Sequence, residues 1–314
     1  MPEIDIRVQA AEGGERRGYY RVAGADLATN VPFAALKGYE QDGCGGEGSR
    51  LQWAAGDTQK GVEKRYEGPG WIGNAWREVA CWTSATGYGI DIAGIGQFWI
   101  GNAGNRIAQT KAAPGAGMDV VVEAALGPAL ILALAVHGVW SLHASAALIE
   151  GQAVAFVGES GKGKSTLAQW LGKEQEGWWR RVGDDILPIA YSGGKVDVLP
   201  HFPQLKIAPD KQPARGLGER LPLAAVYVLD RPVDGEAVAV EDLGLQERVL
   251  ALVRHTVASR LFSPELMAQH LDVCVQMAAR VPVRRLTYPF MPEAMQKAHE
   301  ALIADIQPRR AGPG

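Results

Sequence analysis

Charge of one sign is scarce in this chain. Lys and Arg total 32 against 35 Asp and Glu, a net charge of -3, so no global field favours nucleic acid or an anionic membrane surface. Any anion it binds must be held by local geometry. Cysteine is also rare: Cys44, Cys81 and Cys274 lie far apart, are odd in number and have no second ligand at metal spacing. That pattern supports neither a disulfide framework nor a zinc site, and it predicts a reducing, cytoplasmic compartment. The N-terminus lacks a signal-peptide pattern, since acidic residues appear at Glu3 and Asp5 and no apolar core region follows. The most apolar stretch, Ala124–Val136, is interrupted by Gly127 and Pro128 and is only about 13 residues long where a span needs around 20; it reads as a buried helix. Glycine and proline, at 39 and 18 of 314 residues, fall short of a low-complexity composition. There is no internal repeat, and His137, His201, His270 and His299 show no usable spacing.

What is present points to about two globular domains, each able to bury a core. Before residue 100 five of the nine tryptophans cluster, at Trp53, Trp71, Trp76, Trp82 and Trp99. Short alternating runs such as Gly87–Ile92 and Gln97–Ile100 predict small antiparallel strands, hence a β-rich N-terminal domain over 1–115. Its tryptophans are expected to pack a core of large rings, with a ligand-stacking platform as the alternative. Residues 41–50, rich in glycine, read as a loop. Ala112–Gly117 is the candidate linker, and a second domain is expected over 118–314. It begins with an apolar helix near Asp119–Trp140, followed by a hairpin of Leu142–Ile149 and Ala153–Val157 turning at Glu150-Gly151. Strands and helices then alternate: a helix over Lys164–Leu171, strands near Arg181–Ile189, Lys195–Leu199, Leu205–Ala208 and Ala224–Leu229, and two helices, the second capped by Ser263 ahead of Pro264. A strand at Val283–Thr287, a helix from Pro292 and a frayed tail at 308–314 complete an α/β domain.

The strongest chemical signal is Gly158-Glu159-Ser160-Gly161-Lys162-Gly163-Lys164-Ser165, which meets every fixed position of G-x-x-x-x-G-K-[ST] between a β-run and a helical pattern. Glycines let successive backbone N–H groups turn inward around a phosphate, and the helix N-terminus adds its positive end. Lys164 is placed to contact the β- and γ-phosphates, and the Ser165 hydroxyl to ligate Mg²⁺. Asp184 and Asp185 follow after one helix and a short strand. On a regular strand the two carboxylates face opposite sides unless the backbone bends there, so one can hold Mg²⁺ while the other accepts a proton from an attacking hydroxyl. His143 lies on the expected hairpin beside the loop strand and is a third candidate, with a satisfied structural histidine beside a core strand as the alternative. Arg254, His255 and Arg260, read on the helix before Ser263, are candidate cations for transferred phosphate, with a solvent-facing role as the alternative.

Leu142-His143-Ala144-Ser145-Ala146, then Gly158 to Thr166, then Gly183-Asp184-Asp185, in this order and at close spacing, resemble the HPr kinase/phosphorylase superfamily, and in particular its kinase-like relatives of lasso-peptide and other modified-peptide pathways. Phe202-Pro203-Gln204-Leu205-Lys206 and Val281–Pro289 share the resemblance, which covers about Met118–Tyr288. It implies a P-loop kinase domain with a fold like the phosphoenolpyruvate carboxykinase core. It also implies an ATP- and Mg²⁺-dependent kinase acting on a serine hydroxyl of a peptide or small protein, and it allows a homo-oligomer. Within it, His143 matches the family's active-site histidine, Asp184 and Asp185 its tandem Asp, and Gly158 to Thr166 its nucleotide loop. The chain departs from HPr kinases proper at Ala214-Arg215-Gly216-Leu217-Gly218, the nearest counterpart of their Glu-Ile-Arg-Gly segment, which lacks the preceding acid. The acceptor and the reverse reaction stay open, and a small-molecule hydroxyl kinase and a nucleotide-gated peptide-binding module are the rival readings.

Overall fold

A computed structural model describes residues 4–9, 18–29, 33–42, 63–174, 178–205, 216–232, 238–289 and 291–306. Cys44, Trp53, Lys206, most of the expected strand at 205–208, Ala214, Arg215 and the tail from 308 lie outside the described residues. The chain divides into two compact units. The first comprises Met1–Ser141, Pro203–Arg215 and Ala258–His270, and the second Leu142–Phe202, Gly216–Val257 and Leu271–Gly314.

The first unit is built on an eight-stranded sheet of β1 (Ile4–Gln9), β2 (Gly18–Val22), β3 (Ala25–Thr29), β4 (Glu63–Ile72), β5 (Ala75–Ser84), β6 (Gly87–Ile92), β7 (Gly96–Gly101) and β8 (Arg106–Ala112), in the order β2-β3-β1-β8-β7-β6-β5-β4. β4 to β8 form the antiparallel meander that the alternating runs predict. β1 differs, pairing in parallel with both β3 and β8. The core is mainly aliphatic, with Ile90, Ile92, Ile100 and Ile107 buried alongside the aromatic Phe98 of β7. This corrects the expected tryptophan core: Trp71 is 49% and Trp76 70% exposed. The two are cross-strand partners at the end of the β4–β5 hairpin, their rings edge to face at 5.5 Å, so they pack on each other. Trp82 lies over Gly89, its partner on β6, where an added Cβ would stand 2.2 Å from the indole.

The apolar segment after the candidate linker forms α1 (Met118–Ala124), a π-turn over Ala125–Ala129 and α2 (Leu130–Val136). Gly127, at φ -87° and ψ -110°, and Pro128 kink it, as a missing backbone donor requires. The helix stops at Val136 rather than running to Trp140, because Gly138 adopts φ +75° and its N–H donates to Ala135 O at 2.9 Å, closing the helix end. Trp140 lies instead on β9 (Val139–Leu142). Counted from Met118 the helical stretch has 19 residues and is apolar enough to cross a bilayer by length and composition. Here α2 packs on β7 and β8, with Leu130 to Ala135 all buried. That packing also explains why the compact units divide at Ser141 and not at Ala112–Gly117: the helix completes the first unit.

The second unit contains β10 (Ala144–Ile149), β11 (Gln152–Val157), α3 (Lys164–Glu174), β12 (Trp179–Gly183), β13 (Leu187–Ser192), β14 (Lys195–Val198), β15 (Leu221–Asp230), β16 (Ala239–Asp242), α4 (Leu245–Arg254), the later part of α5 (Pro264–Arg280), β17 (Val283–Thr287) and α6 (Pro292–Ile306). Its strands run β12-β10-β11-β15-β14-β13, with β17 also beside β15 and β16 beside β17. β15 pairs in parallel with both β11 and β17, and β10 joins β11 through Glu150-Gly151, both at positive φ as a two-residue hairpin turn requires. The strand period of two sorts β11 onto two cores. Ala153, Ala155 and Val157 face Leu252 of α4 and Cys274, Met277 and Ala278 of α5. Val154 and Phe156 face Leu167 and Leu171 of α3 and Ala298 and Leu302 of α6. The result is a mixed α/β unit with helices on both faces, following a β-rich unit.

Candidate active site

Three strand ends meet at one edge of the second unit. β10 pairs with β11 in the register Ala144↔Val157 and with β12 in the register Ala146↔Gly183. The start of β10, the end of β11 and the end of β12 therefore coincide, bringing His143, Gly158 and Asp184 to the same rim.

The glycine-rich loop leaves β11 after Val157 and enters α3 at Lys164. Gly158, Gly161 and Gly163 have φ values of +150°, +80° and +76°, backbone open to glycine and strained for other residues. Lys164 is 7% exposed, and its Nζ donates to the loop's own carbonyls, Gly158 O at 2.8 Å and Glu159 O at 3.2 Å. Burial pushes this ammonium below the ordinary lysine range, and Asp185, Asp184 and Glu159 draw it back up. Ser160, Ser165 and Thr166 are exposed on the loop and the first turn of α3.

The expected strand Arg181–Ile189 is broken at the acidic pair. β12 ends at Gly183, β13 begins at Leu187, Asp185 sits at φ +69° and the Ile186 N–H donates to Asp184 O at 2.8 Å. A turn, not strand alternation, thus separates the two carboxylates. Asp184 is held on three sides: Oδ1 accepts from Ser145 Oγ at 2.5 Å and from Ser165 Oγ at 2.7 Å, and Oδ2 accepts from Arg181 Nη2 at 2.7 Å. Asp185 is more open, at 36% side-chain exposure, with Oδ1 3.9 Å from His143 Nε2. His143 lies in the break between β9 and β10, and its backbone N–H donates to His255 O at 2.7 Å.

Ser145 and Arg181 have no motif of their own. The available signals were a hydroxyl inside the apolar run Ala144-Ser145-Ala146-Ala147 and an arginine three residues before Asp184. Arg181 offsets the Asp184 charge at 23% exposure against 18% for Asp184. Arg181→Met is expected to cost about 1–3 kcal/mol, since it leaves a half-buried carboxylate without its cation; urea unfolding measures it, and an unchanged midpoint would show the pair to be dispensable.

Of the three cations read on the helix before Ser263, Arg254 ends α4 and His255 follows it. Arg260 instead lies in a 3-10 turn, Ser259–Leu261, within the first unit, its guanidinium 5.8 Å from the Tyr66 ring centroid. His255 is buried, and desolvation pushes its imidazole down to about 4, with Glu159 opposing and Lys164, His143 and Arg254 assisting. With a folded value below the ordinary 6.5, the unfolded chain takes up the proton first. His255 thus adds stability above about pH 6.5 that is lost as pH falls toward 4. His255→Gln should make the fall of the thermal midpoint across that window shallower than in the parent chain; equal slopes would remove His255 as a cause.

Ser165 and Asp184 supply hard oxygen donors of the kind Mg²⁺ takes, one or two protein oxygens alongside phosphate and water. Among the described residues there is no group of three or more His, Cys, Asp and Glu able to hold a metal. Among the described residues both cysteines, Cys81 and Cys274, are buried, and burial pushes both thiols up to about 12.

The chain is similar to the solved structure of the Hpr(Ser) kinase/phosphatase from Coxiella burnetii. The similarity covers 55% of this chain and 99% of that one, at 13% identity and a TM-score of 0.31. No family model matches the sequence, and no curated protein matches it.

Proposed function

We propose that this protein is an ATP- and Mg²⁺-dependent phosphotransferase that moves a γ-phosphoryl group to a serine hydroxyl of a peptide or small protein, in a reducing cytoplasm. The observation that carries it is the division of the acidic pair. Asp184 is bonded to the loop's own Ser165, and Asp185 is turned out of the strand and more exposed beside His143. One carboxylate belongs to the nucleotide side and the other to an incoming acceptor.

The chemistry follows from those positions. Backbone N–H groups of Gly158 to Gly163 and the start of α3 bind phosphate oxygens, and Lys164 exchanges two carbonyls for the stronger acceptors of the β- and γ-phosphates. Mg²⁺, when bound, neutralises phosphate charge, with Ser165 and Asp184 as its protein oxygens. Asp185 accepts the proton of the serine hydroxyl as its oxygen forms a bond to the γ-phosphorus and the bridging P–O bond to ADP breaks. His143 orients Asp185 and shares the proton. Positioning and charge neutralisation supply most of the rate.

Incubation with γ-labelled ATP, Mg²⁺ and candidate acceptors, separated by thin-layer chromatography and mass spectrometry, tests the proposal. Phosphoserine on a peptide supports it. Label on a small metabolite would make the protein a small-molecule kinase, and bound nucleotide without any transfer would make it a binding module.

A further inference from the structure

A second loop lysine carries a carboxylate of its own. Lys162 Nζ donates to Asp230 Oδ1 at 2.9 Å, with side chains 31% and 48% exposed. Asp230 is the last residue of β15, the parallel neighbour of the loop strand in the register Val157↔Val228. The loop lies close against that strand end: a Cβ on Gly158 would stand 3.2 Å from Leu229 O. The Arg231 N–H also donates to Asp230 Oδ1, at 2.8 Å. The Lys162 bond, more than any other influence, holds the Asp230 carboxyl below its ordinary range. Neither the glycine pattern nor the Asp184–Asp185 pair uses it.

We infer that Lys162 is a second phosphate-binding cation of the loop, which Asp230 occupies in the nucleotide-free state and yields to the polyphosphate on binding. The inference rests on the nucleotide-loop reading. An exposed ion pair contributes little net stability, so exchanging it is cheap. A polyphosphate offers several anionic oxygens where Asp230 offers one, and Lys162 is two residues from Lys164 on the same short loop. Asp230 therefore competes with nucleotide for Lys162, and its removal favours the bound state. A strut that merely props the loop has the opposite sign.

The test is equilibrium binding of Mg-ATP and of inorganic tripolyphosphate to the full chain, with no acceptor present. Asp230→Asn keeps shape and is expected to tighten both ligands about 3- to 10-fold, and Lys162→Met to weaken both about tenfold. On the Lys162→Met background Asp230→Asn should have no further effect, since the coupling runs through the lysine. Circular dichroism and the thermal midpoint check that each variant is folded. Unchanged or weaker binding by Asp230→Asn overturns the exchange, as does equal tightening on both backgrounds, which would mean direct repulsion by Asp230. The phosphotransfer reading fails separately, if the parent chain binds Mg-ATP but transfers to no acceptor. A parent chain that binds neither ligand overturns both.

Discussion

Lys164→Ala is expected to lower γ-phosphate transfer on the order of 10²- to 10³-fold, the cost of losing one preorganised donor at a developing charge, while leaving the protein folded. The side chain is buried, and its ammonium donates to Gly158 O and Glu159 O. Truncation leaves two carbonyls without that donor, worth about 1–3 kcal/mol. The loop conformation itself depends on glycine dihedrals and on packing against β15, neither of which the substitution touches. Single-turnover transfer from γ-labelled ATP, with circular dichroism of the same sample, separates the two effects. Transfer at the parent rate would refute the role given to Lys164, and loss of the folded signal would show that the lysine is chiefly structural.

Asp185→Asn should reduce transfer about 10²- to 10⁴-fold, the range of general-base catalysis, with nucleotide affinity close to that of the parent. The choice of asparagine matters here. Asp185 sits at φ +69°, a region that Asn tolerates and most other residues do not, so the variant removes the charge without straining the turn. Asp184→Asn should behave differently, raising the Mg²⁺ concentration needed for half-maximal rate, because Asp184 is the carboxylate bonded to Ser165, Ser145 and Arg181. If Asp185→Asn instead keeps full transfer at saturating Mg²⁺ but raises the Mg²⁺ concentration needed for half-maximal rate, the two roles are exchanged.

The glycine-rich loop was legible in full, with its boundaries at Val157 and Lys164 matching the end of β11 and the start of α3. So were the Glu150-Gly151 hairpin, the Ser263 cap, whose Oγ accepts from the Leu266 N–H at 3.2 Å, and the strand Val283–Thr287. All are signals between near neighbours in the chain. The tryptophan cluster misled, because ring size says nothing about which side of a hairpin a side chain occupies. The packing of the apolar helix was not legible either: a buried stripe shows that a helix packs, and leaves open which sheet it packs on, here β7 and β8.

The geometry of the glycine-rich loop belongs to a few contiguous residues, since positive φ and a helix N-terminus are properties that glycine and the following helical pattern carry wherever they are placed. The roles proposed for the acidic pair do not. They depend on β10 lying between β11 and β12, which sets Ser145 and Ser165 against Asp184 across 39 and 19 residues, and on a turn that swings Asp185 away. Asp230 reaches Lys162 across 68 residues in the same manner. Such contacts arise from strand pairing over long separations, where register is chosen by burial of the whole sheet, and no local pattern in the chain encodes them.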